Sequence, residues 1–193
     1  MIFKPTLADV AYVAANMRAV DAEEIYPLRF DKTPEGLART VMSSPVYVWA
    51  AAPPGGAPAA VFGVYEVRPR AWTAFAFGTD NFNTVAGGVT KFLLRNVKPH
   101  LFHDLGAQRV EAWSHGNHTQ AHRWLTALGA KPEPDPEYGP EGETYVRFVM
   151  RRSDWLLSQA AKPPTILAQL GRIPRLASPE DSITVGHVLS INS

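Results

Sequence analysis

The chain contains no cysteine in its 193 residues. That excludes disulfides, thiolate metal sites and cysteine nucleophiles, and it fits a reducing compartment. It also has little net charge. Nineteen Lys and Arg against eighteen Asp and Glu leave +1, with no block of like charge, so neither a direct nucleic-acid footprint nor a membrane-surface patch is expected. No window of about 18 apolar residues could span a membrane, and the opening MIFKPTLADV lacks the basic region and apolar run of a leader. No internal repeat is present. What the chain does have is material for a core. Its hydrophobic content is 46%, enough for one domain of this length to bury roughly two-thirds of its surface.

Ile2 and Phe3 read as a short first strand. Thr6 and Asp9 have the spacing of a capping box, and Leu7, Val10, Val13, Ala14, Met17 and Val20 keep helical periodicity, which predicts one helix from about residue 6 to Ile25. Asp21, Glu23 and Glu24 crowd its end. They can recognise an amine or form a solvated helix end, and the frequency of exposed charged ends favours the latter. Thr33-Pro34-Glu35 starts a second helix that stops at Ser43-Ser44-Pro45. Residues 46–51 and 60–67, rich in β-formers and separated by Pro53-Pro54-Gly55-Gly56-Ala57-Pro58, predict an antiparallel hairpin, and residues 71–77 a fourth strand. From Thr84 or Gly87-Gly88 a long helix runs toward Leu101, with Pro99 near a kink.

Residues 109–133, RVEAWSHGNHTQAHRWLTALGAKPE, are the most informative stretch. They contain a strand around Trp113, a Gly116-Asn117 break, a helix with Ala121, Trp124, Leu125 and Leu128 on one face, and a stop at Gly129. After a proline- and glycine-rich loop, residues 144–150 alternate as a closing strand.

This order, β, α, α, β, β, β, α, β, α, β, resembles the GNAT superfamily of acyl-CoA-dependent N-acyltransferases. The superfamily's C-terminal motif is matched by Asn117, Ala121, Trp124, Leu128, Gly129 and Ala130. The resemblance covers about residues 1–152. It implies an α/β (α+β) fold with a mixed, mostly antiparallel central sheet flanked by helices. Met17-Arg18 with Asp21 and Glu24, Phe77-Gly78-Thr79-Asp80, Gly116-Asn117, Arg123-Trp124-Leu125 and the loop Gly139-Pro140-Glu141-Gly142 are similar to the acyltransferase-like internal virion proteins of short-tailed bacteriophages. That narrower likeness implies a virion component made in the host cytoplasm.

The superfamily implies acetyl-CoA as cofactor, held by a glycine-rich loop whose amides cradle the pyrophosphate. That loop motif is missing. A weak cradle at Ala86, Gly87, Gly88 and Val89, with Lys91 and Lys98 nearby and Asn117 at the facing turn, is one reading; glycines that only ease helix packing are the other. The tyrosine that protonates the leaving thiolate is replaced by Leu125, so turnover needs a substitute acid such as Tyr138, Tyr145 or His122. Tyr138 is the candidate acid, and Glu66 the candidate base ahead of Asp80. His115, His118 and His122 do not make a metal site on this pattern, because no glutamate follows His118 as in a zinc hydrolase.

Residues 153–193 differ in composition from what precedes them. Prolines interrupt many short apolar pieces, which excludes a solvated tail and one continuous core element alike. They are expected to dock, either back on the domain or on other virion proteins or like subunits in an oligomeric assembly, with Ser182-Ile183-Thr184-Val185 able to add a strand to a partner's sheet edge.

Overall fold

The computed structural model describes residues 1–43, 46–133 and 137–160; the docking expectation for residues beyond 160 lies outside them. The first helix starts as the capping box requires. The Thr6 hydroxyl accepts from the Asp9 amide at 3.3 Å, and the Asp9 carboxylate accepts from the Thr6 amide at 2.8 Å. The expected single helix is two. α1 (Leu7–Ala15) ends at Asn16, whose side-chain amide donates to the Tyr12 carbonyl, and α2 (Ala19–Ile25) begins after a short extended link. The link is extended because Met17 bridges to Thr79 as a strand would. α3 spans Pro34–Ser43, its start capped by the Thr33 hydroxyl accepting from the Gly36 amide at 3.0 Å.

The strands are β1 (Ile2–Phe3), β2 (Val46–Ala51), β3 (Ala60–Arg68), β4 (Ala71–Gly78), β5 (Arg109–His115), β6 (Lys131–Pro132), β7 (Glu137–Tyr138) and β8 (Thr144–Arg151). Their order is β1-β2-β3-β4-β5-β8-β6, with β7 also on β8. Every pairing is antiparallel except β4 with β5. The mixed, mostly antiparallel sheet flanked by helices is therefore the fold that the sequence implied, with β6 and β7 as additions inside the proline-rich loop.

Helix periodicity decides the layers. Val10, Val13 and Ala14 of α1 and Leu37, Ala38 and Val41 of α3 pack with Val61 and Phe77 on one face. On the other, Phe82, Val85 and Val89 of α4 (Phe82–Phe92) pack on Ala60 and Phe62. α4 continues as two π-helical turns, Leu93–Val97 and His100–Asp104, on either side of Pro99. Proline has no amide to donate, which agrees with the wider hydrogen-bond pattern around it. Val97, Leu101 and Phe102 from these turns pack with Trp72 and Val110. α5 (Thr119–Ala127) lies beside α4, with the Trp124 indole donating to the Thr90 hydroxyl at 2.8 Å. α6 (Arg152–Ala160) follows β8 directly, and its Trp155 stacks on Phe102 with ring centroids 5.6 Å apart.

Candidate functional site: a cleft between two splayed strands

β4 and β5 are in register only from Ala71 to Thr73 against Arg109 to Glu111. Beyond Thr73 they separate and leave a cleft of about 430 Å³. The direction of the backbone on each side follows from the neighbouring ladders. Thr79 donates to the Ala59 carbonyl on the β3 side, so Gly78 and, by the two-residue period, Ala76 turn their amides and carbonyls to the gap. Gly116 donates to the Thr144 carbonyl on the β8 side, so the His115 amide also faces the gap.

α2 takes both of these terminal amides. The Gly78 amide donates to Asp21 Oδ2 at 2.8 Å, and the Gly78 carbonyl accepts from the Arg18 amide at 2.9 Å. Arg18 donates to Asp21 through Nε at 3.1 Å and through Nη2 at 2.7 Å, a bidentate pair that is strong when withdrawn from water. Its guanidinium lies 4.6 Å from the Phe82 ring centroid. One turn later Glu24 reaches the other strand. Its Oε2 accepts from the Ser114 hydroxyl and the His115 amide, both at 2.8 Å, and lies 3.0 Å from His118 Nδ1. The Tyr145 hydroxyl donates to the Glu24 carbonyl at 3.0 Å. Carboxylates three residues apart share one helix face. Here that face staples the end of β4 to the end of β5.

The electrostatics match the burial. Asp21 is 3% exposed; burial pushes its carboxyl above the usual range, and the Arg18 charge and the Gly78 amide offset that only in part. Burial, with the Glu143 and Glu24 carboxylates, pushes the Tyr145 phenol up to about 12. The solvated helix end expected for this acidic turn therefore holds for exposed Glu23, while Asp21 and Glu24 are drawn into a network across the sheet.

The remaining candidates from sequence fall differently. Glu66 pairs in register with Trp72 and accepts from the Arg70 amide at 2.6 Å, where Arg70 has φ 64°. It caps the β3–β4 turn, at the end of β4 remote from the splay, and does not line the cleft. Tyr138 stands on the outer edge of β8, 72% exposed and away from the cleft. α4 begins at Phe82, so Gly87 and Gly88 lie inside it and their amides face along the helix; a Cβ at either would meet nothing within 4 Å. Ala86 lines the cleft, Val89 is core, and Lys91 is exposed near the helix end. A cradle of free amides at 86–89 is not what this helix presents. Lys98 donates from Nζ to the Leu128 carbonyl at 2.8 Å. Asn117 is an exposed turn residue whose carbonyl accepts from the Thr119 amide. His118 is 5% exposed and bound to Glu24, and His122 Nε2 lies 3.1 Å from the His115 carbonyl oxygen.

The structure thus brings together Arg18, Asp21, Glu24, Ser114, His118 and Tyr145, of which only Tyr145 was among the candidate acids. The spacing of Arg18, Asp21 and Glu24 signalled a common helix face; nothing local signalled the strands it would reach. Leu125 does line the cleft. Of the three substitute acids, Tyr145 alone does so, with its hydroxyl engaged by Glu24.

No protein-family model matches this sequence, and no curated protein matches it. Solved structures do resemble it. A spermidine N-acetyltransferase variant from Vibrio cholerae superposes with a TM-score of 0.61 at 9% identity, over 82% of this chain and 99% of the other. AAC(6')-Ib in complex with ribostamycin and coenzyme A gives 0.61 at 15% identity, over 84% and 98%. An acetyltransferase of the GNAT family from Bacillus anthracis gives 0.59 at 11% identity, over 79% and 94%. At these identities the likeness is one of fold: the chain has the GNAT acetyltransferase fold.

Proposed function

We propose that this chain is a GNAT-fold accessory component of a short-tailed phage virion in which acyl transfer is weak or lost. Leu125 carries the second half of that reading. It lines the cleft; in the sequence motif it stands where the superfamily has its tyrosine, and an aliphatic side chain has no proton to give a leaving thiolate. The virion placement rests on the residues that resemble internal virion proteins. Arg18, Asp21, Glu24 and Gly78 are among them, and they are the same residues that build the staple across the cleft. Residues 153–193 supply the contact with other virion proteins or with like subunits.

A second reading, an acetyl-CoA-dependent N-acyltransferase acting on an amine, is favoured by one observation. The β4 edge at Ala76 faces an open gap, where an extended thioester arm could lie along it as an added strand. The solved relatives that bear the names of spermidine and aminoglycoside acetyltransferases give that reading its acceptor class, a polyamine or amino sugar.

Calorimetric titration with acetyl-CoA separates the two. Weak or absent binding is expected; a low-micromolar dissociation constant, with thiol release in the presence of a polyamine, would establish the enzyme instead. For the virion placement, deleting residues 161–193 is expected to leave the domain folded and to abolish incorporation into particles. Normal incorporation of the truncated chain would refute it.

A further inference from the structure

The loop between α2 and α3 holds one phenylalanine wholly in water. Phe30 is fully exposed, and Leu28, two residues before it, is 51% exposed. Side chains on both sides hold this loop in place. Arg29 donates through Nε to the Asp31 carbonyl at 3.1 Å and through Nη2 to the Thr40 hydroxyl at 2.9 Å, and the Asp31 carboxylate accepts from the Thr33 amide at 3.0 Å. The Tyr26 hydroxyl ties the start of the loop to the Ala14 carbonyl at 3.3 Å. One exposed apolar side chain is ordinary, but a contiguous apolar patch marks an interaction surface.

The sheet continues the patch. Tyr65 of β3, Thr73 of β4 and Glu111 of β5 stand in one row on the face that carries α1 and α3. Two residues further along their strands, Phe75 and Trp113 belong to the same face, but the strands have parted there. The two rings therefore flank a slot, with Thr73 at its closed end. The Phe75 ring lies across Gly63, where a Cβ would be 2.7 Å from Phe75 Cζ, and its centroid is 6.4 Å from that of Tyr65. Tyr65, Phe75 and Trp113 are half-buried, and they line the same cleft as Leu28 and Arg29.

Phe30 does not fill the slot of its own chain. Two residues span at most about 7 Å, which keeps it beside Leu28, and its ring is fully exposed. A second copy can fill it. Knob and slot stand side by side, so a two-fold rotation sets each knob over the other chain's slot and every contact is made twice. An unrelated partner would have to supply both a knob and a slot of its own. We propose that two copies of this chain pair about a two-fold axis, with Phe30 of each inserted between Phe75 and Trp113 of the other. The interface is separate from residues 153–193 and stands whether or not they bind other virion proteins.

Sedimentation velocity of the full-length protein on a rising concentration series reads the pairing. Phe30→Ser removes the knob and Thr73→Arg blocks the slot. Burial of one phenylalanine is worth about tenfold or more in a binding constant, and the symmetry counts it twice, so Phe30→Ser is expected to weaken pairing at least about a hundredfold. Phe30 is fully exposed, so its variant folds even if Thr73→Arg does not, as circular dichroism will show. Both variants keep residues 153–193, so lost pairing separates this interface from any contact made by the tail. Benzoylphenylalanine at position 30, in an equal mixture of unlabelled and isotope-labelled chains, supplies the second readout. Cross-links from one chain to Phe75 or Trp113 of another are expected. A wild-type chain that stays monomeric to about 1 mM, pairing that Phe30→Ser leaves unchanged, or cross-links confined to one chain overturns the proposal.

Discussion

Replacing Glu24 by alanine tests whether α2 holds the sheet together. The wild-type carboxylate has 15% of its side chain exposed and accepts from the Ser114 hydroxyl and the His115 amide, with His118 Nδ1 3.0 Å away. Truncation leaves three donors without their acceptor. Each orphaned buried donor costs about 1–3 kcal/mol. Water entering from the adjacent cleft will resolvate some of these groups, so the lower range applies, about 3–5 kcal/mol in all. For a chain of this length each kcal/mol lowers Tm by roughly 2–4 °C; the expected loss is about 10 °C.

Thermal unfolding followed by circular dichroism measures the loss. Glu23→Ala is the control, because that neighbour is exposed and surface substitutions stay within about 0.5 kcal/mol. A double-mutant cycle with His118→Ala isolates the shared contact, expected at about 1–3 kcal/mol. Hydrogen exchange supplies the local readout: the His115 amide should exchange faster in Glu24→Ala, while the Gly78 amide, held by Asp21, changes less. A Tm within about 2 °C of wild type, or equal acceleration at both amides, would refute the staple.

Two further outcomes follow from single positions. At Gly78 an added Cβ would lie 2.7 Å from Phe82 Cδ2 and 2.8 Å from the Ala59 carbonyl oxygen. The backbone atom cannot rotate away, so Gly78→Ala should cost about 1–3 kcal/mol as overpacking does; unchanged denaturant unfolding would contradict the close approach. Tyr145, pushed up to about 12 by burial and then by the Glu143 and Glu24 carboxylates, should be the last phenol to ionise in an ultraviolet titration, and Tyr145→Phe should delete that step. Because its folded value is raised, its contribution to stability is complete below the ordinary tyrosine value of about 10 and is lost as pH climbs through about 12. A Tyr145→Phe curve that overlays wild type above pH 10 would refute the assignment.

The fold was largely legible, because its determinants are local. The capping pair Thr6 and Asp9 and the glycine stop at Gly129 each act within a few residues, and periodicity assigned the helix faces. The break between α1 and α2 was not legible. Met17 and Val20 continue the apolar repeat, and the chain leaves the helix there because Met17 bridges to Thr79 and Arg18 bonds to Gly78, far along the sequence. The site was hidden for the same reason. A glutamate on a strand, Glu66, looks like a base until the tight turn at Arg70 claims it. Asp21 and Glu24 look like a solvated end until their partners on two different strands are known.

The staple and the void beneath it are parts of one arrangement. A closed cavity of about 430 Å³, at roughly 24 cal/mol per Å³, corresponds to about 10 kcal/mol of lost packing. That compares with the roughly 5–15 kcal/mol of stability typical of a whole domain. The mouth of the cleft is open, which lowers the figure, but the incentive to close the gap remains large. Pairing β4 with β5 past Thr73 would close it and add ladder hydrogen bonds. That ladder cannot zip to the strand ends, because the gap-facing amides of Gly78 and His115 already donate to Asp21 and Glu24. With the Arg18 guanidinium compensating the buried Asp21, α2 supplies the partners that the opposite strand would have given. The staple therefore holds the two strand ends apart. Separated strand ends do not by themselves give turnover, which also needs a proton donor at the leaving group.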